Sequence, residues 1–140
     1  MAINNTLREM NMTTRRTVLL SLALPLAALV PAEAASKLKL LDPDKDGTVD
    51  LAEAKAAASK LFDKLDRDKD GTLDAKELRG RISAKEFAAA DPDKDGTLDK
   101  NEYMTIVEAR FRAADPDNDG TLDAKELATP AGKALLKLLV

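Results

Sequence analysis

The chain has 140 residues and a formal net charge of −3, with no cysteine, no histidine and only 3% aromatic residues. That composition excludes disulfide staples, thiolate or imidazole metal sites, and every catalytic arrangement that pairs a nucleophile with histidine. With no tryptophan and three phenylalanines, the core is expected to be small, and folding to draw on something besides apolar burial.

At the N-terminus, Arg15 and Arg16 precede an apolar run from Val18 to Val30, and Ala32-Glu33-Ala34 follows with small residues at the two positions a signal peptidase reads. This is the pattern of an export leader, with cleavage expected after Ala34. The run is shorter than the roughly 18–20 apolar residues of a membrane span, and Pro25 interrupts it, so a leader is favoured over an anchor. Thr14 to Leu19 also loosely resembles a twin-arginine signal. The expected organisation is therefore a leader over residues 1–34 and one domain over residues 35–140.

Beyond Ala34 the sequence repeats. The pattern D-x-D-x-D-G-x-x-D-x-x-E occurs from Asp42 to Glu53, Asp66 to Glu77, Asp91 to Glu102 and Asp115 to Glu126. Each is a complete twelve-residue EF-hand loop. Such a loop offers oxygen from positions 1, 3, 5, 7 (a backbone carbonyl), 9 and 12. The candidate ligands are Asp42, Asp44, Asp46, Thr48, Asp50 and Glu53 in the first loop, and Asp66, Asp68, Asp70, Thr72, Asp74 and Glu77 in the second. In the third they are Asp91, Asp93, Asp95, Thr97, Asp99 and Glu102, and in the fourth Asp115, Asp117, Asp119, Thr121, Asp123 and Glu126. Position 6 is glycine throughout (Gly47, Gly71, Gly96, Gly120), where the turn needs a positive φ. Acidic turns kept for solubility would be scattered. Instead, twenty of the twenty-three acidic residues after Ala34 sit at ligand positions, leaving only Asp63, Glu86 and Glu108.

The loops begin 24, 25 and 24 residues apart, about half the chain that an ordinary exiting helix, linker and entering helix would occupy. Residues Ala54–Leu65 read as one helix with Leu61, Phe62 and Leu65 on one face. Tyr103–Ala114 reads likewise, with Ile106, Val107, Ala109 and Phe111 as apolar contributors. A single helix holds the loops at its two ends apart. The middle gap differs: Gly80 breaks the chain and Ser83-Ala84-Lys85-Glu86 is a capping box opening a new helix. The second and third loops can then lie side by side, leaving the first and fourth to pair. Position 8 is apolar every time (Val49, Leu73, Leu98, Leu122), as loop pairing through a short strand requires. Thr129-Pro130 marks an N-cap with proline at the first helical position, and Leu135, Leu136, Leu138 and Leu139 make a terminal packing helix.

Halved spacing, four loops behind an export signal, and proline at the second loop position (Pro43, Pro92, Pro116) together resemble lanmodulin, the periplasmic lanthanide-binding EF-hand family of methylotrophic bacteria. The resemblance covers essentially all of residues 35–140. It implies an all-α, compact three-helix bundle with peripheral sites, preference for up to four trivalent lanthanide ions over calcium, and folding driven by metal. The second loop departs from it, carrying Arg67 where the family has proline. That loop is expected to be less preorganised when empty, and its site altered.

The same loops would also suit a periplasmic calcium buffer. A calmodulin-like sensor is disfavoured because Met104 is the one methionine left after the leader. A dockerin-like module is disfavoured by four loops where two are usual. Acid–base chemistry would need a carboxylate both spared from ligation and placed in a cleft, and an enzyme is not expected. The partners expected are metal ions, with neither nucleic acid nor, after leader removal, membrane; a metal-dependent dimer and a periplasmic metal-receiving protein remain open.

Overall fold

The computed structural model describes residues 29–140. The arginine pair and nearly all of the apolar run of the expected leader lie outside the described residues. Among the described residues no helix is long and apolar enough to cross a membrane.

The elements in order are α1 (Ala32–Leu41), β1 (Val49–Asp50), α2 (Leu51–Leu65), β2 (Thr72–Asp74), α3 (Ala84–Ala90), β3 (Thr97–Asp99), α4 (Lys100–Ala114), β4 (Thr121–Leu122), α5 (Ala124–Ala128) and α6 (Pro130–Leu136). The protein is mostly helical. Six helices and two small sheets replace the simpler three-helix bundle that the resemblance implies. The two 15-residue helices, α2 and α4, are the long struts, each about 22 Å. They form because Ala, Lys, Leu, Glu and Arg dominate them, and because each opens on a capping box, Asp50 with Glu53 and Asp99 with Glu102.

The loops pair as the spacing predicts. β1 runs antiparallel to β4 with Val49 opposite Leu122, and β2 runs antiparallel to β3 with Leu73 opposite Leu98. All four of these position-8 side chains are fully buried. They join Phe62, Tyr103, Val107 and Phe111 in one core that continues into Leu127, Leu135, Leu138 and Leu139. Phe62 and Tyr103 meet edge to face with centroids 5.5 Å apart, a favoured aromatic geometry. Ala109, expected to contribute to the core, is exposed.

The middle gap turns as expected, but unequally. The stretch 75–81 after the second loop is a run of turns rather than a helix, with Gly80 at φ 76°. Only α3 is helical there, capped reciprocally by Ser83 and Glu86. At the far end Thr129 accepts from the Gly132 N–H and Pro130 occupies the first helical turn, as the sequence implies. The closing segment is held by polar groups from the body. The Tyr103 hydroxyl donates to the Leu138 carbonyl at 2.9 Å. Arg81 reaches the Val140 carbonyl at 3.0 Å. Arg110 donates to the Ala134 and Arg81 carbonyls while gripping both carboxylate oxygens of Glu86.

Candidate metal centre

Each loop is suspended between two element ends. Asp42, Asp66, Asp91 and Asp115 are the C-cap residues of α1, α2, α3 and α4. Position 1 therefore starts each loop from a rigid support. The position-1 carboxylate then folds the loop around itself: Asp42 Oδ2 accepts from the Gly47 N–H at 2.9 Å, and Asp66, Asp91 and Asp115 repeat the bond with Gly71, Gly96 and Gly120. These glycines have φ between 84° and 91°, the region in which a Cβ is penalised. Position 4 is also left-handed, at Lys45, Lys69, Lys94 and Asn118 (φ 55° to 61°). Nothing in three lysines advertises that conformation; only Asn118 hints at it.

In the first, third and fourth loops the carboxylates of positions 1, 3 and 12 converge: Asp42, Asp44 and Glu53; Asp91, Asp93 and Glu102; Asp115, Asp117 and Glu126. Each set presents oxygens within 4.8 Å of one another. The second loop gathers Asp66, Asp68 and Asp70 instead. Position 5, also expected to ligate, stands outside those three clusters and is held by the Thr hydroxyl at position 7, as where Thr48 Oγ1 donates to Asp46 Oδ1 at 2.8 Å. Position 9, also expected to ligate, serves first as a cap: Asp50, Asp74, Asp99 and Asp123 each accept from the position-12 N–H at 2.7–2.9 Å. The position-12 carboxylate returns the bond through Oε2. In the first, third and fourth loops the same carboxylate also joins the cluster. Glu53 Oε1 is buried with no hydrogen-bond partner among the described residues, a costly state for a carboxylate oxygen that a cation would relieve.

The charges are crowded enough to compete with protons. At Asp42 burial opposes ionisation, yet the Gly47 N–H, the Asp44 carboxyl and the neighbouring N–H groups hold it below the ordinary carboxylate range. Asp44 moves up: the Asp46 N–H favours its charged form, but Asp42, burial and the Asp46 charge prevail. Asp91 and Asp93 split the same way. Burial, reinforced by neighbouring aspartates, raises Glu53 and Glu126 despite the position-9 N–H each accepts. The three acids outside the loops after Ala34 behave differently. Asp63 meets Lys100 at 2.8 Å, Glu86 meets Arg110 at 2.9 Å and Glu108 meets Lys55 at 2.5 Å. Basic side chains neutralise these three acids, while those of the loops face one another. A hard cation with oxygen preference is what such a donor set suits.

Comparison with known proteins agrees. The EF hand family matches residues 59–79, 84–107 and 106–129, the second to fourth loops. Lanmodulin of Methylorubrum extorquens (strain AM1) is 62% identical over 72 residues, covering 46% of this chain and 54% of that protein. Over those residues the chain is similar to lanmodulin, and its second to fourth loops match the EF hand family. It spans about half the length of the curated relative it matches. The first loop, outside the EF hand matches, shares with the other three the bonds that its position-5, -6 and -7 N–H groups donate to the aspartates of positions 1, 3 and 5. All four loops thus offer a carboxylate cluster for a metal ion.

Proposed function

We propose that this protein is exported, with its leader removed after Ala34, and binds trivalent lanthanide ions in preference to calcium, for uptake, buffering or delivery. The observation that carries the reading is the inward, unpartnered Glu53 Oε1 beside Asp42 and Asp44, repeated in outline in two further loops, in a chain similar to lanmodulin.

Each loop holds five carboxylates. At equal distance a 3+ ion gains half again the Coulomb attraction of a 2+ ion, and it leaves less negative charge behind. Loops that repel themselves when empty make metal binding a source of folding free energy. Up to four ions fit this reading, through the position-1, -3, -5, -9 and -12 carboxylates and the position-7 carbonyls of Thr48, Thr72, Thr97 and Thr121.

The test is a pair of titrations of the metal-free protein, with lanthanum and with calcium, followed by circular dichroism at 222 nm. Lanthanum should induce helix at a far lower free concentration. Equal midpoints would overturn the preference and leave a calcium buffer.

A further inference from the structure

The second loop has a backbone donor that the others lack. In the first, third and fourth loops position 2 is proline, which has no N–H. Position 2 of the second loop is Arg67, and its backbone N–H donates to Glu77 Oε1 at 3.0 Å. Glu77 Oε2 already accepts from the Asp74 N–H at 3.2 Å. Both oxygens of the position-12 carboxylate are therefore engaged. In the first loop the equivalent Oε1 is buried without a partner. The carboxylate grouping changes accordingly, from positions 1, 3 and 12 to Asp66, Asp68 and Asp70, without Glu77.

We infer that the second loop latches itself: the Arg67 N–H competes with the cation for Glu77, so this loop fills last of the four. Proline at position 2 then has a role distinct from stiffening the loop, since it removes the donor that would occupy the bidentate ligand. The arginine side chain is not the agent. It is exposed and forms no ion pair among the described residues. A bidentate ligand must shed the N–H bond before it closes on the metal. For a partly solvated bond to a charged acceptor, this corresponds to about a three- to tenfold loss of affinity.

The inference rests on the loops being metal sites, and the experiment separates the two claims. Gly47, Gly71, Gly96 and Gly120 each donate to a position-1 aspartate, so their amide resonances report each loop separately during an NMR titration with lanthanum. In the native chain Gly71 should shift last. Arg67→Ala keeps the N–H and should leave that order unchanged. Replacing residue 67 with lactic acid, the ester analogue of alanine, removes the N–H without adding a ring. It should bring Gly71 forward about three- to tenfold relative to Arg67→Ala. Arg67→Pro should do at least as much. Equal behaviour of the alanine and ester variants would overturn the latch, as would Gly71 shifting with the other glycines in the native chain. The same series with calcium isolates the underlying reading. If only calcium shifts the glycines, with Gly71 last and rescued by the ester, the latch stands and the lanthanide preference falls. If neither ion shifts them, both fall.

Discussion

Arg110 braces the loop-bearing helix α4 against α3 and the closing segment, and Arg110→Met measures that brace. The guanidinium, only 12% exposed, contacts Glu86 through Nε at 3.1 Å and through Nη2 at 2.9 and 3.0 Å. It also donates to the Arg81 carbonyl at 3.0 Å and to the Ala134 carbonyl at 2.5 Å. Methionine keeps the apolar stem and removes all five bonds. Glu86 is 41% exposed and recovers water, so the ion pair itself is worth about 1 kcal/mol. The two carbonyls lose a charged donor, at about 1 kcal/mol each after partial rehydration. The total is about 3 kcal/mol, a large share of a small domain's stability, and a fall in melting temperature of roughly 10–15 °C. The melts must be run at one fixed, saturating lanthanum concentration, because bound metal shifts apparent stability. A loss below about 1 kcal/mol would refute the accounting. Complete rescue by Arg110→Lys would also refute it, since a lysine cannot span Glu86 and both carbonyls. Acidification supplies a second check. Burial works against the Glu86 charge, but the Ser83 N–H and Arg110 hold its carboxyl below the ordinary value. A depressed carboxyl contributes stability above its unfolded pKa and loses it as the pH falls through its folded one. The gap between native protein and Arg110→Met should therefore narrow as the pH falls below about 4.5.

Burial lifts the Tyr103 hydroxyl to about 12, against the opposing charges of Arg81 and Arg110. A raised acid stabilises the fold below its unfolded value, so stability should decline as the pH rises from about 10 towards 12; phenolate absorbance appearing with a midpoint near 10 in folded protein would refute the burial. At Gly132, a Cβ would strike the backbone of Glu126 and Leu127, whereas one at Gly47 meets nothing within 4 Å. Gly132→Ala should cost about 2–3 kcal/mol and Gly47→Ala about 1 kcal/mol of backbone strain, with equal losses in denaturant melts contradicting the distinction. Left-handed Lys94, at φ 57°, should gain about 0.5 kcal/mol on Lys94→Asn, and Asn118→Lys should lose as much; thermal melts showing neither change would remove the strain argument.

Much of this architecture was legible because the ligand code fixes spacing, and spacing fixes pairing. Twelve residues between Glu53 and Asp66 permit one helix, and α2 is that helix; Gly80 and the Ser83 box permit a turn, and β2 meets β3 across it. The loop triads were legible for the same reason. What escaped depends on three-dimensional neighbours. Gly132 looks like an ordinary helical glycine until α5 is laid against it. Arg110 reads as a surface charge on an amphipathic helix, because nothing local reveals the carbonyls it reaches on α6. Arg67 stood out as a departure from proline that leaves the empty loop less preorganised, but the N–H it brings reaches Glu77, ten residues on, and that contact shows only in three dimensions.

The nested pairing of the loops also sets an order of events. Leu73 and Leu98 lie 25 residues apart along the chain, whereas Val49 and Leu122 lie 73 apart. Closing the outer pair from an open chain costs about 1 kcal/mol more in loop entropy. The inner pair should therefore zip first, and once α2 and α4 are docked the outer contour is already shortened. A chain that emerges N-terminus first makes the partner of its first loop last. Until Leu122 is in place, the first loop stands without its opposite strand.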